Sequence, residues 1–263
     1  MIRSFPNMNM KANRFLLAAV LLGAASINAE PAPADPLAAA TAAFAKGDLA
    51  MAETLAAPLA QGDTARAEAC ALVAEIRVRQ QRVKEAIGLL EQAGKLDPQK
   101  PDYQSRLGSV MSIRMGEVNF MQQGLLAGRM LNAFKRSIEL DPNHVPGYIG
   151  LARYYENAPE IAGGSLDKAA ECAEEARKRD AFAGTLELGF VAERRGQPEN
   201  ALRFFDEALL LRPEQAWLHE QTGRVLAKLG RPAEARARFE KALELEPKRE
   251  SARQALGELP PAP

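Results

Sequence analysis

Apolar residues in the second half of the chain recur with a helical period, as with Phe205 and Leu209, which lie four positions apart on one face. Compact turns separate these helical segments, namely "RRGQPENA" (194–201) and "KLGRPAEA" (228–235). A glycine that ends one helix and a proline at the first position of the next are typical of helix boundaries. The pattern therefore predicts pairs of helices joined by short turns, and an all-α fold.

The same residue types return at a fixed offset in the two best-defined helix pairs. Small residues let the helices approach closely, whereas phenylalanine and leucine fill the space between them. Each pair leaves an apolar face that only stacking on its neighbours can bury. The matches, each 34 residues on, are Gly189 with Gly223, Gly196 with Gly230, Ala201 with Ala235, Phe205 with Phe239, Ala208 with Ala242 and Pro213 with Pro247.

This pattern of glycine, alanine, aromatic and closing proline at a period of 34 resembles the tetratricopeptide repeat. The resemblance covers about residues 33–249 and implies protein or peptide binding rather than chemistry. It implies a right-handed α-solenoid of about six repeats over residues 37–257, with 250–257 as a capping helix and 258–263 as a proline-rich tail. Residues 132–169 also resemble a segment shared by exported bacterial tetratricopeptide proteins.

The first half of the chain follows the pattern less regularly. Residues 67–100 form a second repeat and residues 33–66 an alanine-rich first one. Pro58 falls inside the expected second helix of repeat one. Because proline inside a helix costs about 3 kcal/mol, we expect that helix to kink or end near Ala57.

Repeats three and four contain extra residues between their first and second helices. Relative to the 34-residue period, the register indicates ten additional residues within residues 111–130 and five within "NAPEIAGGS" (157–165). Equivalent loops of a solenoid lie at one edge, so we expect two enlarged neighbouring loops that are a candidate binding site. The alternative, that they only accommodate irregular stacking, stays open. The loop candidates are Asn157, Pro159, Glu160, Ile161, Gly163, Gly164 and Ser165.

The loop of repeat four has local features that predict its conformation. Pro159 ends the preceding helix, Ile161 is expected to insert beneath the loop, and Ser165 is expected to cap the next helix. "GGSLDK" resembles an anion cradle completed by Lys168, but it lacks the spacing of a phosphate-binding loop.

First-helix residues that point away from the stack are expected to line a concave binding groove. Arginine and aromatic residues, which often anchor interfaces, are frequent among them. Tetratricopeptide domains that clamp the terminal carboxylate of a peptide use lysine and asparagine at matching groove positions. Other residues, such as Leu186, occupy these positions here, so we do not expect this chain to clamp a terminal carboxylate in that way. The groove candidates are Tyr103, Arg106, Arg153, Glu156, Glu187, Phe190, Arg194, Trp217, Glu220, Arg224 and Lys228.

The amino terminus has the pattern of a secretory signal. Arg3, Lys11 and Arg14 precede an apolar run over residues 15–27, which is shorter than the roughly 20 residues of a spanning helix. We expect residues 1–29 to be a signal peptide cleaved after Ala29, or alternatively after Ser26, followed by a linker over 30–36. The protein would then be periplasmic or extracellular, with no membrane span in the mature chain. An uncleaved anchor that holds an envelope assembly factor is the alternative.

The charge balance, the cysteines and the histidines argue against nucleic-acid binding, a disulfide and a metal site. The chain has 34 basic and 34 acidic residues, interleaved, which argues against a nucleic-acid partner. Cys70 and Cys172 lie about three repeats apart, so we predict two separate buried thiols. His144 and His219 lack metal-ligand spacing, and we interpret both as surface or packing residues.

These features predict no catalytic, cofactor or metal site. One distant alternative is Cu(I) handling by the thioethers of Met111, Met115, Met121 and Met130, although irregular core filling explains them more simply. The sequence as a whole predicts a non-enzymatic adaptor or scaffold of a bacterial envelope. The identity of the partner and self-association stay open.

Overall fold

Residues 35–260 of the chain fold into thirteen α-helices in the computed structural model, which describes this part of the chain. Residues 35–260 contain no β-strand and belong to one compact unit. The expected signal peptide (1–29), the first part of the linker (30–34) and the end of the tail (261–263) lie outside the described residues. None of the helices between residues 35 and 260 combines the length and the apolar content that crossing a bilayer requires.

The helices pack in chain order, each against the next, and the first helices of neighbouring repeats also touch. The architecture is an α-solenoid of six helix pairs with a capping helix, as the sequence predicts. The pairs are α1 (Pro36–Ala45) with α2 (Leu49–Ala56), α3 (Ala67–Arg79) with α4 (Val83–Leu96), α5 (Pro101–Arg114) with α6 (Phe120–Leu140), α7 (Val145–Asn157) with α8 (Leu166–Arg177), α9 (Ala181–Arg194) with α10 (Pro198–Leu211) and α11 (Ala216–Lys228) with α12 (Pro232–Leu245), and α13 (Glu250–Gly257) is the cap.

A glycine in the first helix lets the aromatic ring of the second helix lie against the backbone. A Cβ built at Gly189 would sit 2.3 Å from the Cε1 atom of Phe205, and one built at Gly223 would sit 2.8 Å from that of Phe239. Both rings are almost completely buried. The predicted role of these glycines in close packing is therefore confirmed.

Repeat one has the predicted break at its proline. Helix α2 ends at Ala56, and Pro58 lies in a 3₁₀ turn over Ala57–Ala60. A 3₁₀ turn accommodates proline here because the regular helical hydrogen bonds have already stopped.

Repeat three differs from the prediction of an enlarged loop. Helix α6 has 21 residues, against 14 in α10 and α12, so the added residues extend the second helix at its amino-terminal end. The turn before it is short because Asn119 Oδ1 accepts the Gln122 N–H (3.0 Å), and Gln123 Nε2 donates to the Met115 carbonyl (3.0 Å). An asparagine cap followed by the good helix formers Met121, Gln122 and Gln123 favours a helix over a loop.

The added residues of repeat four do form a loop, over residues 158–165. Gly163 has a positive φ of 89°, and Ser165 Oγ accepts the Lys168 N–H as the predicted cap (3.3 Å). The expectation that Ile161 inserts beneath the loop is wrong, because its side chain is 94% exposed. The loop is held instead by the Tyr154 hydroxyl, which donates to the Ala162 carbonyl (2.7 Å).

The fully buried apolar side chains form two large clusters and a small one between repeats four and five. One cluster of buried side chains runs from Leu37 to Tyr154 and a second from Leu186 to Ala255. Ala152, Ala173 and Leu188 form a small separate cluster between the two.

Candidate functional site

The first helices of repeats four and five are joined by an ion pair between Arg153 on α7 and Glu187 on α9. Arg153 donates from Nε (2.9 Å) and from Nη2 to the same oxygen, Oε1 of Glu187. The Glu187 side chain is 2% exposed, whereas that of Arg153 is 60% exposed. Burial raises the pKa of Glu187 above its ordinary value, and the hydrogen bond from Arg153 acts in the opposite direction. The pair therefore lies with its positive end outward.

Two further ion pairs join successive first helices in the same way. Arg194 Nε lies 3.8 Å from Glu156 Oε1, and Lys228 Nζ lies 3.1 Å from Glu193 Oε1. In both pairs the acid is mostly covered and the cation is exposed. Burial raises the pKa of Glu156, and the charge of Glu187 adds to this effect. The face of α7, α9 and α11 thus presents cations held by sequestered carboxylates.

The last repeat uses a buried acid to hold the capping helix. Glu220 on α11 accepts hydrogen bonds from Arg224 Nη2 (2.7 Å), from Ser251 Oγ (2.8 Å) and from Arg249. Burial tends to raise the pKa of Glu220, but the hydrogen bonds from Arg224, Ser251 and Arg249 outweigh it, so that the pKa is lowered. Arg224 is again the exposed member of its pair.

The structure separates the predicted groove residues into exposed and buried groups. The five cations Arg106, Arg153, Arg194, Arg224 and Lys228 are exposed on first helices. The expectation that the groove presents every candidate side chain is wrong for Tyr103, Glu187 and Glu220, which are buried. Neighbouring helices cover these three side chains, and burial raises the pKa of Tyr103 to about 12.

The two aromatic candidates and Glu156 lie between these groups, since all three are half-buried. Phe190 packs edge-on against Phe205, with ring centroids 5.3 Å apart. Trp217 Nε1 donates to Gln215 Oε1 (3.1 Å).

Sequence reasoning missed Glu193 and Arg249, which complete this set of ion pairs. A signal for such residues is present, because opposite charges recur about one repeat apart. Arg153 and Glu187 are separated by 34 residues, and Glu193 and Lys228 by 35. In a solenoid, positions one period apart on neighbouring helices are adjacent in space.

Profiles of the tetratricopeptide repeat match residues 180–248 and 69–102. The chain is a tetratricopeptide repeat protein. Family membership supports a role in protein–protein interaction. No curated protein matches its sequence significantly.

Solved structures similar to this tetratricopeptide repeat protein include three that it spans almost from end to end. A thermophilic protein of Thermus thermophilus, TTC0263, is 22% identical with a TM-score of 0.60, and the match covers 73% of this chain and 97% of that one. PilW, a type IV pilus biogenesis factor, is 15% identical with a TM-score of 0.65 (84% and 96%). A tetratricopeptide repeat protein of Parabacteroides merdae is 14% identical with a TM-score of 0.55 (84% and 96%). At these identities the likeness establishes the fold alone.

The loop of repeat four lies at the edge of the solenoid, with Pro159, Glu160, Ile161 and Gly163 exposed. The side chain of Asn157 forms a hydrogen bond within its own helix, α7, where Nδ2 donates to the Arg153 carbonyl (2.9 Å).

The backbone donors that an anion cradle would need are used inside the loop. The N–H groups of Gly163 and Gly164 donate to the carbonyls of Glu160 and Pro159, and that of Ser165 donates to the Tyr155 carbonyl. The Lys168 ammonium lies 5.6 Å from the centre of the Tyr155 ring. This arrangement argues against the anion-cradle alternative.

Both histidines are packing residues, as predicted. His144 is buried with Nε2 2.9 Å from Ser105 Oγ, and His219 is buried with Nε2 2.8 Å from the Pro213 carbonyl. Burial lowers the pKa of both imidazoles. Between residues 35 and 260 no three histidine, cysteine, aspartate or glutamate side chains are grouped to hold a metal ion.

The sulfur-containing residues differ in how far they are buried. Both cysteines are unpaired, but only Cys70 is fully buried; the prediction of a buried thiol is wrong for Cys172, which is partly exposed. Burial raises the pKa of both thiols, that of Cys172 to about 11. Met111 and Met130 are buried in the core, as core filling predicts, whereas Met121 is exposed.

Proposed function

We propose that this tetratricopeptide repeat protein is a non-enzymatic scaffold that binds a carboxylate-bearing protein or peptide segment along the first helices of repeats four to six. One observation carries the proposal. Arg153, Arg194, Arg224 and Lys228 are exposed on this face, while the acids that pair with them are buried or mostly covered.

These fixed cations suit a partner that brings carboxylates. Arginine carries five N–H donors, and Arg153 uses only Nε and Nη2 on Glu187 within residues 35–260. A side chain already held by an ion pair loses less conformational freedom on binding than a mobile one. The half-buried rings of Phe190 and Trp217 on the same helices add apolar contact area for the segment.

We also propose that the scaffold acts in the bacterial envelope. Arg3, Lys11 and Arg14, followed by the apolar run over residues 15–27, support export. Mass spectrometry of the protein purified from its host tests this proposal: a mature amino terminus at Glu30 or Ile27 supports cleavage. An intact Met1 would favour the retained anchor.

A paired-variant capture experiment tests the binding face. Arg194→Gln/Lys228→Gln removes two exposed cations whose acids keep some solvent, so folding should be preserved. Arg136→Gln is the control, because the Arg136 side chain is also at least half exposed but belongs to α6. Partners crosslinked in envelope extract are quantified by mass spectrometry, alongside thermal unfolding of each variant.

We expect the double variant to capture at least about tenfold less of a specific partner than the wild type does, whereas the control should capture it normally. Adding a glutamate-rich peptide should compete with the same partner, and a lysine-rich peptide should not. Full retention of every partner by the folded double variant would overturn the proposed binding face.

A further inference from the structure

The extended start of α6 exposes large apolar side chains at the edge of the solenoid. Met121 is 79% exposed and Leu125 is 71% exposed. The equivalent compact turns of repeats two, five and six carry no exposed large apolar residue. Exposed apolar patches of this kind often mark interaction sites. This feature exists only because repeat three lengthens its second helix.

A hollow of about 200 Å³ lies beside these side chains, between the end of α5 and the start of α6. Ligand pockets for small molecules usually measure about 300–1,000 Å³, so this hollow fits one or two side chains of a partner better than a cofactor. Its walls are formed by Arg114, Val118, Gln122, Leu125, Leu126 and Arg129.

Two arginines border the apolar hollow. Arg129 forms an ion pair with Glu91 of α4, and Arg114 has no ion-pair partner within residues 35–260. Glu117, the closest acid in the sequence, is exposed and makes no ion pair in the same range. A partner that places carboxylates on either side of an apolar side chain therefore complements this surface.

Two glycines on α6 allow close approach of another backbone. Gly124 and Gly128 lie one turn apart, both are exposed, and a Cβ built at either would meet nothing within 4 Å. Glycine is among the least favourable residues in a helix interior, and packing within the described chain does not require it at these positions. In pairs of membrane helices, small residues spaced four apart let the backbones approach closely, and Gly124 and Gly128 offer a docked helix the same space.

We propose that Arg114, Val118, Met121, Leu125 and Arg129, here called the α6 docking surface, bind an amphipathic helix of another protein. That helix places a large apolar side chain in the hollow and carboxylates beside Arg114 and Arg129. Helices commonly dock an apolar face into a groove in this way. A second copy of α6 fits less well, because α6 carries Arg129, Lys135 and Arg136 against Glu139 alone. The surface comprises the end of α5, the turn after it and the start of α6, and is separate from the face of α7, α9 and α11 proposed above.

Selection from a displayed library of randomised amphipathic helices on the full-length protein tests the proposal. We expect enriched helices to carry a large apolar residue with Asp or Glu within one turn. Met121→Gln/Leu125→Gln and Arg114→Gln/Arg129→Gln should each weaken binding of the enriched helices by at least about tenfold. Leu210→Gln and Arg136→Gln are matched controls, since Leu210 is an exposed leucine on α10 and Arg136 an exposed arginine on α6. Both controls should bind within about twofold of the wild type.

Gly124→Ala/Gly128→Ala provides a readout that a general loss of folding cannot imitate. It should raise the melting temperature by a few degrees because alanine favours the helix, and it should still weaken binding. Enrichment of basic helices, or no difference between the surface variants and the controls, would overturn the proposal. Binding to phosphatidylglycerol vesicles or self-association that Leu125→Gln abolishes would also overturn it, in favour of a membrane or a second copy.

Discussion

Arg153 and Glu187 lie one repeat apart in the chain, and the exposed guanidinium of the first covers the buried carboxylate of the second. The pair spans the junction of repeats four and five, where Ala152, Ala173 and Leu188 form a small apolar cluster. A buried charge is tolerated only when it is paired and hydrogen-bonded. The buried Glu187 carboxylate therefore depends on Arg153 for its hydrogen bonds.

Arg153→Ala should destabilise the protein by about 1–3 kcal/mol, because it leaves the buried Glu187 carboxylate without its hydrogen bonds. Arg136→Ala is the control, since Arg136 and Glu139 are both exposed and such pairs contribute less than about 1 kcal/mol. Urea unfolding measures both changes. Equal effects of the two substitutions would mean that water forms hydrogen bonds with the Glu187 carboxylate when Arg153 is absent.

Glu187 and Glu220 should influence stability with opposite pH dependence. The pKa of Glu187 is raised above its ordinary value of 4.5, so its contribution is present below that value and is lost as pH rises through the higher pKa of the folded state. The pKa of Glu220 is lowered, so its contribution is present above 4.5 and is lost as pH falls through its lower pKa.

Glutamine at each position makes this difference measurable. Over about pH 3 to about pH 7, and relative to the wild type, Glu187→Gln should gain stability as the pH rises above 4.5, whereas Glu220→Gln should gain stability only as the pH falls below 4.5. Unfolding free energies of the three proteins across this range provide the measurement. A parallel pH dependence of the two variants would contradict the assigned environments.

The repeat period determined most of the fold in advance, because contacts such as that of Gly189 with Phe205 are repeated at Gly223 and Phe239. The register also indicated where residues had been added in repeats three and four. It does not determine their conformation. Residues 120–126 extend a helix because Asn119 caps it, whereas Gly163 adopts a left-handed conformation that favours a loop over residues 158–165. Burial of Glu187 and Glu220 was not predictable, because it depends on how the adjacent helices cover them.

The two adjacent glycines of the repeat-four loop should respond differently to substitution. A Cβ at Gly164 would lie 1.8 Å from the Ala158 carbonyl oxygen, so Gly164→Ala should cost about 1–3 kcal/mol through the forced backbone shift. Gly163 has open space and a left-handed conformation that asparagine adopts readily, so Gly163→Asn should cost less than about 1 kcal/mol. Thermal unfolding of both variants tests this order, and a reversed order would show that the loop is arranged differently.

Alanine should have opposite effects at two helical glycines. At Gly189 it meets the buried Phe205 ring, and overpacking of this kind costs about 1–3 kcal/mol. At Gly124 it meets nothing within 4 Å, so Gly124→Ala should stabilise α6 by about 0.5–1 kcal/mol. Urea unfolding compares the two, and adding Phe205→Leu to Gly189→Ala supplies the control, because a smaller side chain should recover part of the loss. If Gly124→Ala were destabilising, some part of the chain would have to pack against that face of α6, and the surface would not be free to dock a partner.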